Sequence, residues 1–346
     1  MKILLDKIAS VTKNVGLAHE VEISKKILSK EGAILAVEVL EDKKVYNQLE
    51  LVSGRLSTIK KGDVLAVALG NRRALKGFIG EVPKSLKVGD TIHILNLGGV
   101  AGICTSENYR EVGHALKVKV LGSIVSESNQ SQPLNIGNFV LFGAENSILS
   151  SVPLIIVSGT CMNVGKTSMA CEVIKHLNRD GHKVYSAKLA GIAALRDTEN
   201  MKDYGSKKAV SFVDAGHTST VNNGNRSVTV AKGAINYLSK DRPDFIVIEF
   251  GDGVYGEYGV TDILSDVEIQ KNILIHIGCA HDPVGAAKLV EICAELGAPL
   301  DFLSGPVTDN SVGISFIERK LKIPAINALV YNDQLFKKIL NLCLKK

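Results

Sequence analysis

The stretch from Pro153 to Gly181 constrains the fold of this chain more than any other. It opens on Pro153-Leu-Ile-Ile-Val-Ser158, a short apolar run rich in β-branched residues that reads as a buried strand. A glycine-punctuated turn follows, Gly159-Thr-Cys-Met-Asn-Val-Gly-Lys-Thr167. From Lys166 to Asn178 the residues Met169, Val173 and Leu177 share one helical face, and Gly181 supplies a stop signal. A strand, a turn of this kind and a helix opening on Gly-Lys-Thr form a cradle for anions. Backbone N–H groups and the positive helix end face the phosphates, Lys166 neutralises them, and the Thr167 hydroxyl can ligate Mg²⁺. The candidate contacts for a bound nucleotide are Gly159, Thr160, Asn163, Val164, Gly165, Lys166, Thr167 and Ser168. One detail departs from the common G-x-x-x-x-G-K-S/T spacing. The place of its first glycine is taken by Thr160, and the glycine comes one residue early, at Gly159.

At 346 residues the chain has room for two domains, each with its own core. Its 41 basic and 36 acidic residues are dispersed, with no basic run and no tryptophan, which argues against a nucleic-acid surface. The N-terminus lacks the apolar stretch and small-residue cleavage site of a signal peptide, and no segment approaches the roughly 20 apolar residues of a bilayer span. We therefore expect a cytoplasmic protein with neither membrane nor nucleic acid as a partner. Six scattered cysteines without a C-x-x-C pair read as reduced, mostly buried thiols. Cys161, inside the loop, reads as a small tolerated side chain ahead of a redox sensor.

Ser126-Glu-Ser-Asn-Gln-Ser-Gln-Pro133 is polar, closes on a proline and marks the linker. It divides the chain into a β-rich domain over 1–125, a linker and connecting strand over 126–152, and an α/β domain over 153–346. In the first domain we expect a short helix around Glu20 to Ser29, then strands at Ile34–Leu40, Leu49–Val52, Val64–Ala68, Phe78–Val82, Thr91–Leu95 and Lys117–Val120. A weak repeat, Ile59-Lys-Lys-Gly-Asp-Val64 and Leu86-Lys-Val-Gly-Asp-Thr91, places the same turn chemistry ahead of two strands. It suggests a small barrel or sandwich with approximate internal symmetry. After the linker, apolar strands at Leu154–Val157, Lys183–Ala187, Phe245–Glu249, Ile273–Ile277, Leu300–Leu303 and Ala325–Leu329 alternate with helices. The helices are expected at Lys166–Asn178, Ala231–Leu238, Gly285–Leu296 and Ser311–Lys320. This alternation is the signature of a parallel sheet covered on both faces, with ligands beyond the C-terminal ends of its strands.

Lys188 and Glu249 fall at such strand ends. A carboxylate after four apolar residues and before alternating glycines is where a Mg²⁺-organising acid belongs, with Asp252 a weaker candidate for the same ion. Asp197 is a candidate second metal acid, and Arg196 a phosphate clamp. Asp214 with His217 reads either as a substrate-positioning pair or as a polar turn capping a strand. His281 has similar standing, and its neighbour Asp282 reads equally well as a helix cap. Arg72-Arg73 is more simply a solvated turn than an anion site.

With these residues in view, the loop resembles that of dethiobiotin synthetases and cobyrinic acid a,c-diamide synthases. Those loops also read Gly-Thr-x-x-x-Val-Gly-Lys-Thr, early glycine included. The same families carry a lysine after the second strand in a Lys-Pro-Val-x-x-Gly context. Lys188-Leu-Ala-Gly191 keeps the lysine, lacks the proline and reaches its glycine sooner. They also carry Val-Glu-Gly-x-Gly-Gly, whose glutamate binds Mg²⁺, and Ile248-Glu249-Phe-Gly251-Asp-Gly253 is similar with altered glycine spacing. The resemblance covers residues 153–330, and the β-rich half has no counterpart in dethiobiotin synthetase. In layout the chain also resembles two-domain bacterial P-loop proteins described as D-amino-acid N-acetyltransferases.

The resemblance implies a parallel-sheet P-loop NTPase domain of the α/β class, preceded by a smaller β-rich, barrel-like domain. It implies ATP and Mg²⁺ as cofactors and a small-molecule substrate, a carboxylate or carbamate activated by phosphoryl transfer and then ligated or cyclised. Lys166, Lys188 and Glu249 would be the catalytic residues, with Thr167, Glu249 and Asp197 around the metal. The families' base-contacting asparagine falls on Asp309 or Asn310, with adenine favoured. Those synthetases often build sites at dimer interfaces, so a homodimer is an expectation. Two rival readings are a nucleotide-hydrolysing assembly or metal-delivery factor and an N-acyltransferase that uses the loop for the phosphates of coenzyme A.

Overall fold

The computed structural model describes residues 1–126, 132–150, 152–221 and 225–330. Residues 127–131 of the expected linker and Cys343 lie outside the described residues. The chain forms two compact units. The first is Met1–Leu141 with Ile192–Arg196 and Phe212–Val221; the second is Phe142–Gly191, Asp197–Ser211 and Asn222–Lys346.

In the first unit six strands carry the architecture: β1 (Glu20–Ser24), β2 (Ile34–Val39), β3 (Val64–Leu69), β4 (Thr91–Ile94), β5 (Val100–Glu107) and β6 (Leu116–Ile124). Pairing runs β6-β2-β3-β5-β4 and returns to β6, so five strands close a barrel. The β3–β5 pair is parallel and the other four pairs are antiparallel. Closure removes the exposed edges of those strands, and Leu35, Val37, Leu65, Val67, Ile92 and Val118 are buried.

The repeat seen in the sequence is a repeated turn. Gly62 and Gly89 both adopt positive φ, 87° and 93°. Asp63 accepts from the Lys60 N–H at 2.7 Å, and Asp90 accepts from the Lys87 N–H at 2.8 Å. Each turn then launches a barrel strand, β3 or β4.

The helix expected around Glu20 to Ser29 is instead strand β1. Val21 and Ile23 are buried alternately along it, a period of two that only a strand presents to one side. It pairs with Lys2–Leu4 and with β6.

The second unit is built on a six-stranded sheet of β7 (Leu154–Gly159), β8 (Val184–Ala190), β9 (Ala209–Ser211), β10 (Phe245–Phe250), β11 (Ile273–Cys279) and β12 (Phe302–Ser304). The order is β9-β8-β10-β7-β11-β12, and every pair is parallel. Strands β7, β8 and β10 are buried along their whole length, as expected where helices cover both faces. The helices are α1 (Lys166–Arg179), α2 (Arg196–Asp203), α3 (Asn225–Ser239), α4 (Val260–Ser265), α5 (Val267–Asn272), α6 (Pro283–Glu295) and α7 (Ser311–Phe316). Met169, Val173 and Leu177 of α1 join Ile155, Val157, Ile275 and Ile277 in one core.

Two expectations are corrected here. Ala325–Leu329 forms no strand; Ala325 makes a single parallel bridge to Leu303. The helix expected over Ser311–Lys320 ends as α7 at Phe316 and continues as a π-turn over Ile317–Leu321. No described helix is long and apolar enough to cross a membrane.

Candidate functional site

From β7 the chain leads to β8 on one side of the sheet, while β11 and β12 fill the other, so the C-terminal end of β7 is a topological switch point. The early glycine has a local reason to be there. A Cβ on Gly159 would sit 2.7 Å from the Cys279 carbonyl oxygen and 2.9 Å from the Val164 side chain. The next residue, Thr160, donates its N–H to the same carbonyl at 3.0 Å. Close approach to β11 therefore occurs at position 159, and position 160 tolerates a side chain. Asn163 and Gly165 both turn through positive φ, 61° and 84°, before α1 begins at Lys166. Asparagine is among the few residues that accept that conformation. Val164, fully buried, anchors the middle of the loop. No side chain caps the N-terminus of α1, which leaves its first-turn N–H groups for another acceptor. Ser168 is exposed on that first turn.

Two neighbouring segments support the loop through glycines. A Cβ on Gly305 would lie 2.6 Å from the Val164 carbonyl oxygen, and one on Gly253 would lie 2.2 Å from that of Thr160. Val254 donates its N–H to the Gly159 carbonyl at 2.9 Å. Gly253, after β10, and Gly305, after β12, thus serve close packing against the loop's backbone.

Around the loop the structure gathers two lysines and three carboxylates. Lys166 is buried, and its ammonium donates to the Cys161 carbonyl at 2.6 Å. Burial lowers its pKa from the ordinary lysine value, against the opposing pull of Glu249. The Thr167 hydroxyl donates to Glu249 Oε1 at 2.7 Å. Glu249 Oε2 is buried and has no hydrogen-bond partner among the described residues. Burial raises the Glu249 carboxyl to about 7, Asp197 adding to the rise while Lys188, the Thr167 hydroxyl and Lys166 oppose it.

Lys188 on β8 is the direct cross-strand partner of Glu249 on β10, and its ammonium forms an ion pair with Asp197. Its stem runs over glycine: a Cβ on Gly251 would come within 2.7 Å of Lys188 Cε. Asp252 is buried in the turn after β10, its carboxylate close against Gly256.

An orphaned, buried carboxylate oxygen beside a hydroxyl is a donor set that suits Mg²⁺, a hard cation with a preference for oxygen. Thr167 and Glu249 would hold it, with Asp197 within the same cluster of charges.

The remaining candidates have other placements. Arg196, Asp214 and His217 belong to the first unit. Asp214 is wholly buried there, ion-paired to Lys13 at 2.7 Å and hydrogen-bonded by Asn14 at 3.1 Å. His217 is half-buried just after Gly216, whose φ is 82°, and Asp214 lies in the 3-10 turn before it. The backbone N–H groups of Leu195 and Arg196 both donate to the Glu50 carboxylate, at 2.6 and 2.7 Å. His281 is exposed after β11, and Asp282 caps α6 by accepting from Val284 and Gly285. Asn310 spends its side-chain oxygen on capping α7, accepting from Val312 and Gly313 at 3.0 and 3.2 Å. Asp309 accepts from Asn327.

Two buried groups were not singled out from sequence. Glu50, in Leu-Glu-Leu, is 1% exposed and takes a third donor from the Ser10 hydroxyl. His276, in Ile-His-Ile, lies in β11 and engages Ser158 and the Ala298 carbonyl, each at 2.7 Å. Burial pushes its pKa down to about 4. In both cases the only sequence signal is a polar residue flanked by apolar ones.

No family model matches the sequence, and no curated protein matches it. Among solved structures the chain is similar to the cell division protein FtsY of Thermotoga maritima, at 18% identity and a TM-score of 0.39, over 61% of this chain and 75% of that one. It is also similar to FtsY of Elizabethkingia anophelis in complex with GDP, at 14% identity and a TM-score of 0.38, over 61% and 69% of the two chains. With chloroplast FtsY of Physcomitrella patens the identity is 14% and the TM-score 0.37, over 55% of this chain and 65% of that one.

Proposed function

We propose that the second unit binds ATP with Mg²⁺ and transfers the terminal phosphoryl group to a small carboxylate or carbamate. The observation that carries this reading is the contact between Thr167 and Glu249, which leaves a buried carboxylate oxygen without a partner beside an uncapped helix N-terminus. The loop's N–H groups and Lys166 would cradle the phosphates. For that, the Lys166 ammonium exchanges the Cys161 carbonyl for phosphate oxygens. Lys188 supplies a second positive charge from the adjacent strand end. When bound, Mg²⁺ would neutralise charge between the terminal phosphates. Everything the chain itself contributes is positioning and electrostatics in a buried setting, the two terms on which phosphoryl transfer chiefly depends.

Calorimetry with ATP, GTP and acetyl-CoA, each with and without Mg²⁺, tests the reading. The expected result is Mg²⁺-dependent binding of ATP that Lys166→Ala abolishes. Absence of nucleotide binding in the presence of Mg²⁺ would end it, and binding of acetyl-CoA alone would replace it with the acyltransferase alternative.

A further inference from the structure

We propose that Glu50 is a positioning residue for the phosphate site, acting through the backbone of the segment that joins Lys188 to Asp197. The inference rests on the nucleotide-site reading and adds to it a residue that no ligand would touch.

Lys188 lies on β8 and Asp197 in the first turn of α2. Between them the chain passes through Ile192–Arg196, a segment of the first unit, and the second unit resumes at Asp197. Within the first unit that segment is held along its backbone. The Ala193 carbonyl accepts from the Asn96 amide, and the Ala193 N–H donates to the Thr218 carbonyl at 2.9 Å. A Cβ on Gly98 would lie 2.2 Å from the same Ala193 carbonyl oxygen, so the approach there is as close as a glycine allows. The last two residues, Leu195 and Arg196, both donate their N–H groups to the Glu50 carboxylate, at 2.6 and 2.7 Å. Hydrogen bonds from backbone N–H groups to a carboxylate are charge-assisted and among the stronger ones. Arg196 opens α2, and the first N–H groups of a helix have no partner within it; a negative charge is a favourable acceptor for them. Glu50 thereby fixes where α2 begins and how its first turn is set. Asp197 is carried on that turn, one residue beyond the anchored pair of N–H groups, and its side chain reaches the ammonium of Lys188. At 1% exposed, Glu50 is itself out of a ligand's reach, so its effect on a metal-bound nucleotide passes through the backbone to Asp197. Groups that orient a metal's ligands from outside are typically worth about 10–100-fold in metal affinity.

The test is calorimetry of ATP binding to the full chain in the presence of Mg²⁺, in a double-mutant cycle of Glu50→Gln and Asp197→Asn. Glutamine keeps the shape but turns an amide toward one of the donors that Glu50 serves, so a contact is lost. With Asp197 in place, Glu50→Gln should weaken Mg²⁺-dependent ATP binding about tenfold. In Asp197→Asn the same change should cost little, because the carboxylate it positions is gone. Ser10→Ala is the control. It removes the hydroxyl that donates to Glu50 and leaves both backbone contacts, so it should lower thermal stability without weakening the Mg²⁺-bound complex. A Glu50 that only stabilises the first unit would weaken binding equally with and without Asp197, or not at all. Either result overturns the proposal and leaves the nucleotide site standing, as does a loss in Ser10→Ala that matches the loss in Glu50→Gln. If Glu50→Gln does not fold, Glu50→Asp, which keeps the charge and withdraws it by one methylene, enters the same cycle with the same expectations. Failure of wild type to bind ATP with Mg²⁺ overturns both readings.

Discussion

Replacing Glu249 by glutamine separates the cost of burying its charge from the use the site makes of that charge. In the folded chain the carboxyl is raised from 4.5 to about 7, first by burial and then by Asp197. A rise of that size corresponds to roughly 3 kcal/mol. The figure already contains the opposing pulls of Lys188, Thr167 and Lys166, because each of them lowers the titration point. Between the unfolded and folded values the native chain binds more protons than the unfolded one, so stability falls as pH rises. This contribution is fully present below pH 4.5 and lost once the pH has risen through about 7.

Glutamine does not titrate, yet it keeps a carbonyl oxygen for the Thr167 hydroxyl. The stability of Glu249→Gln relative to wild type should therefore improve by roughly 3 kcal/mol between about pH 4.5 and pH 8. Urea unfolding followed through helical circular dichroism is a suitable assay, since the long helices lie in the second unit. Any constant difference between the two side chains cancels when the two pH values are compared. In the same samples Mg²⁺-dependent nucleotide binding should be lost, giving a variant that gains stability relative to wild type with rising pH and is inactive. A stability difference that does not change with pH would refute the reasoning, as would one that shifts toward wild type as the pH rises.

Three further outcomes are expected. His276, lowered from 6.5 to about 4, is held neutral by burial; its contribution is present above pH 6.5 and lost as pH falls toward 4, so His276→Gln should flatten the acid limb of the stability profile by roughly 3 kcal/mol. Gly253→Ala and Gly305→Ala each drive a Cβ into a carbonyl oxygen of the phosphate loop, at 2.2 and 2.6 Å; overpacking of this kind costs about 1–3 kcal/mol, so nucleotide affinity measured by calorimetry should fall by roughly tenfold or more. Glu50→Gln puts an amide where a buried carboxylate collects two backbone N–H groups and a hydroxyl, and should destabilise the first unit by about 1–3 kcal/mol in thermal unfolding.

What could be read from the sequence was whatever is decided locally. The strand, loop and helix from Pro153 to Gly181 are contiguous, so spacing alone announces them, and β7 and α1 form there. The two Lys-x-Gly-Asp turns could be read for the same reason, since the glycine conformation and the aspartate contact lie within one turn. What could not be read is decided at a distance. Glu20–Ser24 is a strand because Lys2–Leu4 and β6 lie on either side of it, and nothing nearby in sequence says so. Strand β9 is three residues long, too short to show a period. The segments 192–196 and 212–221 look like loops of the α/β half when read in order. They pack with the first unit instead: Ala193 donates its N–H to the Thr218 carbonyl at 2.9 Å, and Asp214 pairs with Lys13. Arg196, Asp214 and His217 all fall in these two segments.

The chain meets the needs of its buried charges unequally. Asp214 has Lys13 and Asn14; Glu50 has a hydroxyl and two N–H groups. Lys232, 6% exposed, is bracketed by Asp266 at 2.8 Å and Glu268 at 3.1 Å. In each case the chain supplies the counter-charge or hydrogen bonds that burial demands, so nothing further is needed to explain the residue. Glu249 differs. It is 2% exposed and spends one oxygen on Thr167, while the other has no hydrogen-bond partner among the described residues, two positions before a glycine on which Lys188 packs. An unmet acceptor in that position costs stability in the ligand-free chain. A bound cation would offset that cost, and Thr167, the residue that touches Glu249, is also the second residue of α1, whose N-terminus no side chain caps. The same side chain is thus a local penalty of the ligand-free fold and the group by which the loop would select a metal-bound ligand.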